Sequence, residues 1–146
     1  MRSWSCAVRA FEIILDRLDR PSQIRMRILQ TSVDEAVLKT RSLLLAATFP
    51  DAEIVDATSH LKVMEYCGVA PFDLVIIGQG IPVNEKLRLE QTIRVKCPQA
   101  KVAELYNNVP DTAADLRYPV QEGPGSLMAA LRRLMGLPSA DAASRS

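Results

Sequence analysis

The sequence predicts an α/β domain, a parallel five-stranded sheet held between two layers of helices. Three observations carry that prediction. Leu74-Val75-Ile76-Ile77 is a run rich in β-branched side chains, too short for a helix and apolar on both faces, as a strand covered on both sides must be. Runs of this kind alternate along the chain with stretches whose apolar residues recur at three- and four-residue steps. Proline, glycine and capping residues punctuate the boundaries. Strands that alternate with helices pair in parallel through right-handed crossovers, which gives a three-layer α/β/α sandwich.

The elements follow in order. Trp4, Ala7, Val8, Phe11, Ile14, Leu15 and Leu18 form one apolar stripe, with Arg9, Glu12, Asp16, Arg17 and Asp19 on the other faces, and Pro21-Ser22 breaks the pattern. Residues 1–22 are therefore expected to be an amphipathic helical extension, and residues 23–136 the main domain. Met26 to Thr31 reads as the first strand. Ser32-Val33-Asp34-Glu35 fits a capping box, with Ser32 as N-cap and Glu35 three residues on. The helix it opens runs to about Ala47, offers Val37, Leu38, Leu44 and Leu45 to the core, and stops at Phe49-Pro50. Glu53 to Ala57 is the second strand, and Ser59 to Cys67 a short helix closed by Gly68. After the central strand, Asn84 is expected to cap a helix carrying Leu89, Ile93 and Cys97 at four-residue steps, stopped by Pro98. Lys101 to Tyr106 and Leu116 to Val120 complete the sheet. Pro124 suits the first turn of a last helix bearing Leu127, Leu131 and Leu134, which ends at Gly136. The Ala- and Ser-rich stretch 137–146 is expected to be a disordered tail.

At 146 residues the chain can bury one proper core. Its net charge of +1, with 24% charged residues, points to neither nucleic acid nor an anionic membrane. Cys6, Cys67 and Cys97 are odd in number and lack metal-ligand spacing, which argues for a reduced, cytoplasmic setting. His60, the sole histidine, reads as a polar residue early in a helix, so no zinc site, metal or cofactor is expected. No run approaches the ~18 apolar residues of a membrane span, and Arg9, Glu12 and Asp16 interrupt any secretory core.

Asp73-Leu74-Val75-Ile76-Ile77-Gly78 with Pro82 four residues on, the Arg27-Ile28-Leu29 opening followed by Ala36-Val37-Leu38, and the closing Leu127-x-x-Ala130-Leu131-Arg132-Arg133-Leu134 occur in order and at matching intervals. Together they make the chain from about Met26 to Met135 resemble a response-regulator receiver domain. The resemblance implies the flavodoxin-like strand order 2-1-3-4-5. It also implies a phosphorylation switch built on an aspartate nucleophile, two acids that hold magnesium, a Thr or Ser, and a lysine. Here the resemblance places Gly78 at the phosphoacceptor position, Ser32 and Val33 at the acidic pair, Tyr106 at the Thr/Ser switch position and Val120 or a neighbour at the lysine. Glycine has no side chain to attack phosphorus. Asp34 reaches the pocket only if the register slips by one residue, and Asp73 lies at the opposite end of its strand. The Met26-Arg27-Ile28-Leu29 opening also suits a translation start at Met26; an N-terminal peptide from within residues 1–24 in native protein would exclude it.

Receivers carry a full helix between the fourth and fifth strands. In its place stand Asn107-Asn108-Val109-Pro110-Asp111-Thr112-Ala113-Ala114, which allow at most a turn, so the fourth helix is shortened or missing. Glu104 stands among apolar residues on the same side of its strand as Tyr106, and a thinned cover would let it reach water. That leaves either a solvated polar face or a partner-docking surface built from Glu104, Tyr106 and Asn107. Gly78-Gln79-Gly80 is a poor phosphate cradle, because Ile81-Pro82 separates it from the next helix.

The leading expectation is a non-phosphorylatable pseudo-receiver that signals through protein–protein contacts and is not an enzyme. The alternative is a small-ligand or anion-binding module using the vacated pocket at Ser32, Gly78 and Tyr106. An enzyme is the weakest reading, because no Ser–His–Asp set or paired carboxylates occur at strand ends. Signalling proteins are the expected partners. The N-terminal stripe must bury against the domain, a partner or a second copy, so a homodimer is one of its outcomes.

Overall fold

The computed structural model describes residues 25–138. The amphipathic stretch at residues 1–22, Cys6 and the tail from 139 lie outside the described residues. The strands are β1 (Arg27–Thr31), β2 (Glu53–Ala57), β3 (Leu74–Ile77), β4 (Lys101–Tyr106) and β5 (Leu116–Pro119). The helices are α1 (Glu35–Thr48), α2 (His60–Val69), α3 (Val83–Lys96) and α4 (Pro124–Leu134), with a 3₁₀ turn at Val120–Glu122. All strand pairs are parallel, and the order is β2-β1-β3-β4-β5. That is the three-layer sandwich and strand order expected above.

The central strand explains the architecture. Each residue of β3 is 0% exposed, because alternate side chains enter two different cores. Val75 and Ile77 join Leu29 and Val102 against Val63 and Cys67 of α2 and Leu89 and Ile93 of α3. Leu74 and Ile76 join Ile28, Ala103 and Leu105 against Leu45 of α1 and Leu127 and Leu131 of α4. The register pairs Thr31 with Ile77 and Ile77 with Glu104, so β1, β3 and β4 end along one edge.

Four local expectations are corrected. Asp34, not Ser32, caps α1, accepting from the backbone N–H groups of Ala36 and Val37. Ser32 is still tied to the sheet through its N–H on the Ala57 carbonyl, so the chain cannot turn into a helix there. Asn84 lies inside the first turn of α3, which starts directly after Pro82. Val120 belongs to the 3₁₀ turn, not to β5. Leu137 belongs to the domain rather than the tail, for it packs on the α1–α4 core and its N–H bonds the Arg132 carbonyl.

Gly68 does not close α2, which continues to Val69 and is capped at Ala70. A Cβ added at Gly68 meets nothing within 4 Å, so the glycine only loosens a helix. Gly68→Ala is therefore expected to stabilise the domain by about 0.5–1 kcal/mol, read as a raised urea midpoint with an unchanged slope.

Candidate functional site

In an open parallel sheet, ligands and chemistry gather where the strand order reverses, here beyond the ends of β1 and β3. That edge is closed at Gly78. Its N–H donates to the Thr31 carbonyl at 3.0 Å, and a Cβ added to it lies only 2.4 Å from that same oxygen. The glycine is thus required for space, while the turn away from the sheet is made by Gly80 at φ 86°. Ser32 is buried, with its hydroxyl accepting from the Asp34 N–H at 3.2 Å, whereas Val33 is exposed. Asp34 is committed to the α1 cap. Asp73 accepts from the Arg27 N–H at 2.8 Å, at the far end of the sheet.

The space beside Ser32, Val33 and His60 amounts to about 10 Å³, room for about one water. His60 opens α2, as expected, with Nε2 3.1 Å from the Thr92 hydroxyl. Tyr106 lines a different hollow, of about 280 Å³, with Lys86, Asn107 and Asp111. Ser32 and Tyr106 therefore do not share the single vacated pocket that was expected. Magnesium needs carboxylate anchors; Ser32, Val33 and Gly78 supply none, and the residues at this edge do not fit the ion. Among the described residues, no three His, Cys, Asp or Glu side chains gather as a metal site. Burial first, then the neighbouring Cys97, pushes the Cys67 thiol up to about 12, which leaves it a packed side chain rather than a nucleophile.

Glu104 corrects the largest expectation. It does not reach water and cannot itself form a docking face, because it is 0% exposed. Lys86 of α3, also buried, donates to its Oε2 at 3.0 Å and to the Leu105 carbonyl at 3.0 Å. The Asp111 N–H donates to Oε2 at 2.8 Å; the Thr112 N–H and hydroxyl donate to Oε1 at 3.0 and 2.8 Å. The carboxylate is the internal anchor of the loop between β4 and β5. Burial pushes its pKa up, but the hydrogen bonds from Asp111, Thr112 and Lys86 outweigh that and hold it below the usual range. The far end of the loop is tied by Asp115, which accepts from the Val102 N–H at 2.8 Å and from Arg94 at 3.3 Å.

A second buried charge lies on the opposite face of the sheet. Arg41 of α1 is 6% exposed. Its Nη2 donates to Gln79 Oε1 at 3.0 Å, and its Nη1 has no acceptor. Burial presses the guanidinium pKa down, and the charge of Asp56 offsets this only in part. Asp56 is itself engaged by the Gln30 amide at 2.8 Å, a group that also donates to the Leu38 carbonyl while its Oε1 stays unpaired.

Solved structures with this architecture include a CheY-like response-regulator receiver domain from Methanospirillum hungatei JF-1, at 18% identity and TM-score 0.65, covering 77% of this chain and 94% of that one. The signal receiver domain of an HD domain-containing protein from Pseudomonas fluorescens Pf-5 matches at 18% identity and TM-score 0.66, covering 77% and 95%. A Burkholderia pseudomallei response regulator, solved with a phosphorylated aspartic acid and a calcium ion, matches at 16% and 0.63, covering 76% and 69%. The chain has the response-regulator receiver fold. No protein-family model matches the sequence, and no curated protein does either.

On this receiver fold, the burial of Lys86, Arg41 and Gln30 escaped the sequence reading. Their signal was positional. Lys86 shares a helical face with Leu89 and Ile93, and Arg41 with Leu38 and Leu45. Gln30 follows Ile28 and Leu29 in the inner strand β1. Charge is ordinarily a mark of exposure, but helical spacing puts the first two inside.

Proposed function

We propose that the protein is a non-phosphorylatable pseudo-receiver, a non-enzymatic component of cytoplasmic signal transduction that works through protein–protein contacts. In this reading Gly78 stands at the phosphoacceptor position, Ser32 and Val33 at the acidic pair, Tyr106 at the switch position and Val120 or a neighbour at the lysine position. The observation that carries the reading is the closure at Gly78, where any Cβ falls 2.4 Å from the Thr31 carbonyl oxygen. Lys86 does not stand in for the missing lysine, since its ammonium is committed to Glu104 and Leu105.

The contact surface is the ledge formed by Tyr106, Asn107 and the exposed Val109. Glu104 lies beneath it and sets its shape. Receivers move a helix here when they switch; a loop bolted to a buried carboxylate presents one fixed face instead, which suits a constitutive adaptor. Among the described residues no helix is long and apolar enough to cross a membrane.

Acetyl phosphate with magnesium is expected to leave the intact mass unchanged. A covalent gain of about 80 Da, one phosphoryl group, would refute the reading. Cross-linking from native cells, with wild type and Val109→Asp side by side, tests the surface: signalling proteins captured by the first and lost by the second are expected. Equal capture by both places the contact elsewhere.

A further inference from the structure

A further cavity opens on the face of the sheet covered by α1 and α4. It lies between α1 and α4, at the end where both helices begin, and holds about 370 Å³. That is within the size of sites that take small organic molecules, roughly 300–1,000 Å³. Its walls are mainly apolar, with Leu44, Leu105, Leu127 and Met128 among them, and Arg41 is the one charged residue that lines it. Gln79 stands beside Arg41 and fixes one edge of the guanidinium through Nη2.

Two features of the polar end call for a negative ligand. A buried guanidinium with an unfilled donor is costly, and it is retained at least cost where an anion can complete its hydrogen bonds. Arg41 Nη1 is such a donor, closed from water and without an acceptor, on the side facing Gly78. The N-terminus of α4 opens on the same cavity at Gly123 and Pro124, with no side chain capping it. Helix N-termini favour negative charge. The shape of the rest excludes a highly charged ligand, because one cation faces several apolar walls.

We propose that the cavity between α1 and α4 is a binding site for a small carboxylic acid with an apolar body, its carboxylate paired with Arg41 and its tail against Leu44, Leu127 and Met128. The polar end of this site adjoins the edge at Gly78 through Arg41 and Gln79, but the site does not depend on the pseudo-receiver reading. Phosphorylation of the chain would sink that reading and leave this one standing.

The test uses the full chain with octanoate, octanol and octylamine as probes, in calorimetry and amide-shift mapping. Octanoate is expected to bind saturably and at least tenfold more tightly than octanol, with octylamine weakest. Shifts should concentrate in residues 36–44, 79 and 118–128. Arg41→Met should bring octanoate down to the octanol level while octanol binding survives, and that survival reports an intact cavity. Val120→Trp, which puts an indole into the cavity, should abolish both. Equal affinity for octanoate and octanol, shifts centred elsewhere, or no saturable binding would each overturn the proposal.

Discussion

Glu104→Ala is expected to cost about 3–5 kcal/mol, because it breaks a buried ion pair and leaves the lysine only its more distant carboxylate partner, Asp111. Lys86 is 3% exposed, too deep for water to replace the lost carboxylate. Its remaining neighbours are the Leu105 carbonyl and Asp111, the latter at 3.5 Å. The same substitution removes the acceptor of the Asp111 N–H, the Thr112 N–H and the Thr112 hydroxyl. Lys86→Met should cost less, since the carboxylate keeps those three donors. The double variant Lys86→Met/Glu104→Met separates the two roles. If the pair were only an ion pair, an apolar replacement would be close to neutral. As a loop anchor, Glu104 leaves the double variant still destabilised, with fast amide exchange at Asp111 and Thr112. Urea unfolding with exchange on the four proteins checks this, and protected amides in the double variant would remove the anchor role.

The same carboxylate sets an acid limb to stability. Its folded pKa lies below the ordinary value, despite the upward push of burial. A depressed carboxylate contributes its stabilisation in full above the unfolded value of about 4.3 and loses it as pH falls through the folded value. Wild type should therefore lose stability steeply below about pH 4, and Glu104→Gln should flatten that limb while lowering stability at neutral pH. An unchanged slope in the variant would assign the acid limb to other groups.

The fold was legible because its signals are periodic. Leu74 to Ile77 could only be a doubly covered strand, and Leu89, Ile93 and Cys97 could only face inwards; all seven are buried. The strand order came from resemblance, since periodicity carries no information on which strands are neighbours. Helix starts were less legible, because both Ser32 and Asp34 can cap and only the pairing of Ser32 with Ala57 decides between them. The Glu104 cluster could not be read at all. Its partners are a lysine 18 residues earlier and a loop 7 to 8 residues later, and nothing local ties those positions together. Closure at Gly78 was equally hidden: the sequence shows a missing side chain, and only the structure shows that there is no room for one.

Gly78→Asp is expected to leave the protein unphosphorylated and to destabilise it. The nucleophile would be restored in name, but its Cβ would have to sit 2.4 Å from a backbone oxygen. Backbone cannot swing aside as the end of a side chain can, so β1 and β3 would have to part at a hydrogen-bonded position, Gly78 N–H to Thr31 O. Forcing extra atoms into a packed site costs typically about 1–3 kcal/mol, sometimes more. Gly78→Ala isolates that cost with no charge added, and Gly68→Ala is its control, a glycine with open space around it. Opposite signs are expected, loss at 78 and gain at 68. In Gly78→Asp a further effect enters, because Arg41 Nη1 lies 3.4 Å from the new Cβ. That guanidinium would draw the carboxylate into an ion pair and away from an incoming phosphoryl group, and no acidic pair at Ser32 and Val33 would bring magnesium to compete. Unfolding curves for the three variants, with intact mass after acetyl phosphate for Gly78→Asp, make the comparison. A neutral Gly78→Ala would show that the strands can part at little cost, and a phosphorylated Gly78→Asp would show that the switch was lost through one residue and not through the whole site.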